Sequence, residues 1–217
     1  VGEGIQMAST DTFSLSIFGR SGHGGYPNNA IDSIVVAAEV ILALQTIPSR
    51  RASPTEPVVL TIGTINGGKK TNIIADEVEL SGTIRTTSAK LRDAVPGWIE
   101  QLASGIAAAH GADYRFELVT GRPLLENSPE LVPIVKEAVA AMSSELALYP
   151  QVLAMCGEDF AYFLQKVPGV YFYFGCAKEE GVGYQCHHPR FDIDERVLGK
   201  GSSLLAQLVF CYAKLLL

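Results

Sequence analysis

Between residues 11 and 120 the hydrophobic period switches twice from two to nearly four and back, a rhythm that few folds accommodate. In TFSLSIF, Phe13, Leu15 and Ile17 alternate with Thr12, Ser14 and Ser16, the pattern of a strand with one buried face. NNAIDSIVVAAEVILALQ then sets Ile31, Ile34, Val35, Ala38, Ile41 and Leu42 on one helical face, with Asn29 as the expected N-cap and Asp32 suited to the positive end of the helix dipole. PVVLTIGTI is a β-branched run, Asn66-Gly67-Gly68 has hairpin-turn chemistry, and DEVELSGTIRT alternates Val78, Leu80 and Ile84 against Glu77, Glu79 and Arg85. These three segments predict an antiparallel pair. After Ser88, helical spacing returns through Leu91, Val95, Trp98, Leu102 and Ile106; Pro96-Gly97 is expected to kink this helix or delay its start, and Gly111 to close it. DYRFELV alternates once more through Tyr114, Phe116 and Leu118. The order β-α-β-β-α-β predicts a ferredoxin-like unit, with two helices on one face of a four-stranded antiparallel sheet.

Beyond GRPLLENSP the rhythm changes. A helix is expected near LVPIVKEAVAAMSSEL, a short strand near QVLAM, a helical turn after GEDF, a strand in VYFYFG and a closing helix in GSSLLAQLVFCYAKLLL. Near-continuous apolar runs such as VYFYF suit a sheet covered on both faces, and two strands alone do not make a stable one. The second half therefore reads as part of a larger α/β domain whose other strands lie outside this sequence. The expected division is residues 9–121 and 122–217.

The formal net charge of -6 leaves no broad basic footprint for nucleic acid or an anionic membrane. Small-molecule or protein partners are expected instead. Charged residues are 18% of the chain and mean hydropathy is +0.21, so more surface than usual should be covered, by a partner chain or by further sequence. Cys156, Cys176, Cys186 and Cys211 show no CxxC spacing, which argues against a zinc ribbon and lends little to a disulfide framework. A reducing, cytoplasmic compartment is expected. The apolar C-terminal stretch is interrupted by Gln207 and Lys214 and falls short of the roughly 20 residues that span a bilayer. No basic-then-apolar leader follows Val1, so no targeting signal is expected.

Two segments concentrate chemistry. YQCHHPRFDIDE holds two imidazoles, a thiol and three carboxylates. A Cys186–His187 dyad is poor, because adjacent side chains on extended backbone point apart. A whole zinc site is poor too, since no second cluster at ligand spacing accompanies this one; one ligand from here, or a solvated loop with Asp194 capping the last helix, are the two readings. GRSGHGGYP sets His23 among four glycines, either an incidental histidine on a mobile turn or a ring presented beyond its own domain on backbone that tolerates positive φ and close approach. It lacks the residues of a phosphate loop. Asn72 reads as a turn-capping amide opening the second hairpin strand, and Arg85 as the cross-strand partner of a residue such as Glu79. His110 suits the negative end of its helix, and GEDF suits a helix start.

In order along the chain, MASTDTFSLSIFGRSGHGGYP, ALQTIPSR, TIGTINGG, TNIIADEVELSGTIRT, GEDF, VPGVYFYFG and HHPRFDIDE resemble the C-terminal two-thirds of an M20-family metal-dependent amidohydrolase. The similarity is greatest to the branch with hippurate, N-acyl-amino-acid, N-acetyldiaminopimelate and indole-acetyl-amino-acid hydrolases. The resemblance implies a ferredoxin-like lid or dimerisation domain inserted into a zinc-peptidase-like α/β domain, and a homodimer formed through the lid. It implies two divalent ions (zinc, manganese or cobalt) that activate water, with an amide carbonyl polarised by a lid histidine from the partner subunit. His23 stands at that histidine's place. Asn72 and Arg85 match positions that hold the substrate's carbonyl and carboxylate, and His187 aligns with the C-terminal metal ligand, His188 being the competing register. The family's other ligands and its general-base glutamate lie in an N-terminal segment this sequence lacks. The expectation is therefore a fragment that does not bind the ions stably or hydrolyse by itself. A carboxypeptidase of the same family and a non-catalytic dimerisation or amino-acid-sensing module are the rival readings.

Overall fold

The computed structural model describes residues 1–142, 146–150, 152–178 and 183–214. Residues 143–145 of the helix expected to reach Leu146, Gln151 of QVLAM and the last three residues of the closing helix lie outside that set. The chain divides into two compact units: Met7–Leu125 with Ala154–Tyr162, and Val1–Gln6 with Glu126–Leu153 and Phe163–Leu217.

The strands are β1 Gly4–Met7, β2 Ser9–Phe18, β3 Gly22–His23, β4 Val58–Gly67, β5 Ile73–Ile74, β6 Glu77–Thr86, β7 Asp113–Val119 and β8 Leu125–Asn127. The helices are α1 Ser33–Leu44, α2 Ala89–His110, α3 Val132–Ala141, α4 Phe160–Leu164 and α5 Arg196–Ala213. The main sheet has the order β4-β6-β2-β7 with every pair antiparallel, the ferredoxin-like arrangement that the period switches predict. Its inward face carries Phe13, Leu15, Ile17, Val78, Leu80 and Ile84, packed against Val36, Val40 and Leu44 of α1 and Val95, Ile99 and Ala103 of α2. Phe13 sits opposite Gly82 in the register, and its ring occupies the space a Cβ there would need.

Four local expectations are corrected. Asp32, not Asn29, caps α1, accepting from the amides of Ile34 and Val35, while Pro27–Asn29 forms a short 3-10 turn. The buried face of α1 is Ser33, Val36, Ala37, Val40 and Leu44, whereas Ile34, Val35 and Leu42 are exposed. Glu39 is the one charged residue in SIVVAAEVILAL, so the periodicity does not select a face. The Ser33–Arg51 stretch is long and apolar enough to cross a membrane by composition, yet its inner face lies in the sheet core. α2 begins at Ala89, capped by Ser88, and runs through Pro96 to Gly111, whose φ of 68° closes it.

The fourth correction bears on the site. Asn66 and Gly67 are ladder residues of β4, paired with Glu79 and Val78. The chain leaves the sheet at Gly68, whose φ is 77°, and reaches β6 only at Glu77. The nine residues Gly68–Asp76 are an excursion that carries Asn72 and β5, and β5 pairs with β3.

In the other unit α3 packs on α5 through Ile134, Ala138, Val139, Leu204 and Cys211. Among the described residues, no strand of more than one residue forms in QVLAM or VYFYFG. Ala154 makes an isolated bridge to Met7, and residues 170–175 have no regular secondary structure. Tyr171 instead meets the buried side chain of Asn127, which accepts from its amide at 2.7 Å and donates to its carbonyl at 2.8 Å. A side-chain amide carries the same donor and acceptor as a peptide group, so it stands in for a ladder rung.

Candidate functional site

His23 lies on a two-residue strand, and the ladder fixes where it goes. Gly22 pairs with Ile74 and His23 with Ile73, while the Gly24 amide donates to the Asn72 carbonyl at 2.9 Å. A Cβ at Gly24 would lie 3.3 Å from that carbonyl oxygen. The glycines on this loop thus serve close approach. None of Gly22, Gly24 and Gly25 has the positive φ that the sequence allowed. The result is a tethered loop on which His23 and Asn72, both exposed, come from neighbouring strand ends. The imidazole Nδ1 accepts from the Gly25 amide at 3.0 Å, and the Tyr26 ring lies 5.5 Å away.

Arg85 is at the other end of the sheet. Its register partners are Thr10 and Val59, not Glu79, and its Nη1 donates to the Met155 carbonyl at 2.8 Å. Gly157 packs against the side chain of the same Thr10, so the Ala154–Tyr162 segment is tied to the sheet end that carries Arg85. Glu158 Oε1 accepts from the amides of Asp159 and Phe160 at the start of α4, the helix-start role expected of GEDF. Glu77 and Arg85 are eight residues apart on one strand, which places the two sheet ends roughly 26 Å from each other. Within one chain the structure brings His23 and Asn72 together and keeps Arg85 away from both.

His110 bonds Glu39 at 3.0 Å, joining α2 to α1, as a structural residue would. In the second unit His188 stacks on Tyr184 at 4.1 Å, and its Nδ1 accepts from the Arg190 amide. His187 has a φ of 72°, the one positive value among the described non-glycine residues, a costly backbone conformation. Asp194 accepts from the Arg196 amide and grips its guanidinium, which holds the carboxyl down at about 2. Lys178 and Asp192 form a further ion pair nearby.

Among the described residues no group of three or more His, Cys, Asp or Glu side chains is placed to hold a metal ion. His187 by itself does not make the two-ion site that the resemblance implies. An apolar cavity of about 510 Å³ in the second unit, lined by Val135, Val139, Tyr149, Phe172 and Leu204 among others, has no His, Cys, Asp or Glu in its described lining and is not where the chemistry-bearing residues converge.

Residues 9–110 match the peptidase dimerisation domain of the M20 family. The chain resembles the structure of the Bacillus subtilis YxeP protein, described as a dinuclear metal-binding peptidase of that family, with a TM-score of 0.77 and 31% identity over 96% of this chain and 51% of that one. The chain carries the dimerisation domain of the M20 peptidase family. It is 36% identical to N-acetylcysteine deacetylase of Bacillus subtilis over 96% of this chain and 53% of the relative. Thermostable carboxypeptidase 2 of Saccharolobus solfataricus is 33% identical over 97% of this chain and 53% of its own length. The chain thus spans about half the length of the relatives it matches.

Nothing in the sequence gave away the tethering of His23 to Asn72 or the tie from Arg85 to Met155. The only available signal was the run of small residues in GRSGHGGYP and the length of the segment from Gly68 to Asp76.

Proposed function

We propose that this chain is the lid and the C-terminal catalytic portion of an M20 amidohydrolase that cleaves the amide bond of N-acyl amino acids. The observation that carries this reading is the ladder that sets His23 beside Asn72. In the reading, the Nε2–H of His23 donates to the scissile carbonyl oxygen as it gains negative charge, and the Asn72 amide holds the same end of the substrate. A donor aimed at a developing oxyanion in a closed site contributes about 3 kcal/mol of transition-state stabilisation. Arg85 receives the amino acid's carboxylate through its forked donors. In this reading His187 is the single metal ligand that this chain supplies.

The roughly 26 Å along β6 supports a site assembled from two chains, with one protomer supplying Arg85 and its partner supplying His23 and Asn72. Two features favour a dimer through the ferredoxin-like unit. α1 is apolar all round yet leaves Leu42 71% exposed, a pattern that belongs to a buried helix. β4 is a ten-residue edge strand with neither lysine nor proline in it, the kind of edge that pairs with another chain.

The test uses the full protein that carries this chain, loaded with zinc, manganese or cobalt and assayed on N-acetyl- and N-benzoyl-amino acids. Inactivity on all of them overturns the reading. Mixing inactive His23→Ala protein with inactive Arg85→Ala protein should restore about a quarter of the wild-type rate, the statistical share of a two-fold dimer with shared sites. No recovery overturns the two-chain site. A carboxypeptidase reading is favoured by the identity to the Saccharolobus enzyme, and faster release of C-terminal residues from peptides would select it.

A further inference from the structure

The imidazole of His23 is seated against Gly25, with the Tyr26 ring 5.5 Å from it. Its Nδ1 accepts from the Gly25 N–H at 3.0 Å. A neutral imidazole has one N–H and one in-plane lone pair, so the nitrogen that accepts here is the one without the proton. Independently, among the described residues and apart from Gly25 and its two chain neighbours, the only heavy atoms within 4 Å of the place a Cβ on Gly25 would occupy are His23 Nδ1 and Cε1, at 3.1 and 3.3 Å. The ring edge fills the space that glycine leaves open. The backbone on either side is pinned, since His23 pairs with Ile73, the Gly24 amide bonds Asn72, and the Tyr26 amide closes a turn onto the His23 carbonyl at 2.8 Å.

We infer that Gly25 is a positioning residue: its amide and its missing side chain together hold His23 in the Nε2–H tautomer, with that N–H as the presented donor. The inference rests on the proposed role of His23 and supplies what that role needs. In the opposite tautomer Nε2 would carry a lone pair, which repels a carbonyl oxygen instead of binding it. Selecting the tautomer before substrate arrives removes a reorganisation step at the moment charge develops.

The test is spectroscopic and needs no turnover. The 217-residue chain, labelled with ¹⁵N in its histidines and held near pH 8, gives two-bond ¹H–¹⁵N correlations that distinguish the tautomers; His23 is assigned by the loss of its signals in His23→Gln. The Nε2–H to Nδ1–H ratio of His23 should exceed that of the urea-unfolded chain about fivefold, the ratio one ordinary hydrogen bond supports. A ratio equal to the unfolded one, or dominated by Nδ1–H, overturns the inference. Gly25→Ala keeps the amide but sets a methyl against the ring, and should move the His23 ratio back towards the unfolded value while the signals of His110, His187 and His188 stay in place. An unchanged ratio in that variant also overturns it. Should Gly25→Ala unfold the chain, the wild-type ratio decides alone. A strongly Nε2–H His23 in a protein whose hydrolysis survives His23→Ala sinks the proposed function and not the seat; an unselected tautomer with His23-dependent hydrolysis sinks the seat and not the function.

Discussion

Asp11 and Arg92 form a two-pronged ion pair at the end of the ferredoxin-like unit, with Nε to Oδ2 at 2.9 Å and Nη2 to Oδ1 at 2.7 Å. The same carboxylate accepts from the Gly121 amide, and the same guanidinium donates to the Gly121 carbonyl. Asp11 is buried and Arg92 mostly so, and the bond from Asp11 raises the Arg92 guanidinium further above its ordinary value. Three segments far apart in sequence, β2, the first turn of α2 and the exit from β7, are thereby held at one point.

Asp11→Ala should destabilise the chain by about 3 kcal/mol, because it strands a desolvated charge. Asp11→Leu combined with Arg92→Met should cost clearly less than the single change, since no charge is left buried. Urea midpoints of the three proteins check this, and equal losses for single and double variants would contradict it.

Asn127 is fully buried and also donates to the Gly2 carbonyl at 2.8 Å. Asn127→Ala should cost about 2 kcal/mol through the polar groups left without partners. Asn127→Asp should cost at least as much at neutral pH, because a carboxylate offers no donor to the carbonyls of Gly2 and Tyr171. Thermal melts at matched pH decide it, and a neutral Asn127→Asp would show that the amide rungs are not holding this unit.

Asp194 titrates near 2 instead of 3.8, chiefly through the side-chain and then the backbone hydrogen bonds from Arg196. Since its folded value is depressed, the contribution of this pair is fully present above 3.8 and is lost as pH falls through about 2. Carbon-detected titration of the Asp194 carboxyl should give the low midpoint, and Arg196→Ala should bring it back towards 3.8. A wild-type midpoint near the ordinary carboxylate value would refute the pairing in solution.

Leu42→Glu places a charge on the exposed face of α1, at a side chain that is already mostly in solvent, so stability of the single chain should change by no more than about 0.5 kcal/mol. Sedimentation should nonetheless shift from dimer to monomer. A dimer that persists in this variant moves the interface elsewhere.

Much of the ferredoxin-like unit was legible in one dimension, because a strand with one wet face must alternate and its partners must alternate with it. Phe13, Leu15, Ile17, Val78, Leu80 and Ile84 point where that rule puts them. His23, Asn72, Arg85 and His187 were singled out by their residue types and by family resemblance, but their neighbours were not. α1 shows the limit most clearly: a helix apolar all round has no periodic signal for its buried side, and only packing against β6 and α2 chose Val36, Val40 and Leu44 over Val35 and Leu42. VYFYFG shows another, since β-branched and aromatic content favours extension but a ladder needs a neighbour at hydrogen-bonding distance.

The order of residues alone determined the periods, the Ser88 start and Gly111 stop of α2, and the fold class that follows from them, because those depend on contacts a few residues apart. The tertiary structure decided that Gly68–Asp76 folds back onto β3, that Gly25 faces the ring of His23, and that Arg85 reaches Met155. Each of these joins backbone or side-chain groups whose distance is set by the whole sheet, or whose orientation is set by how a loop is pinned to it, and no local pattern encodes either.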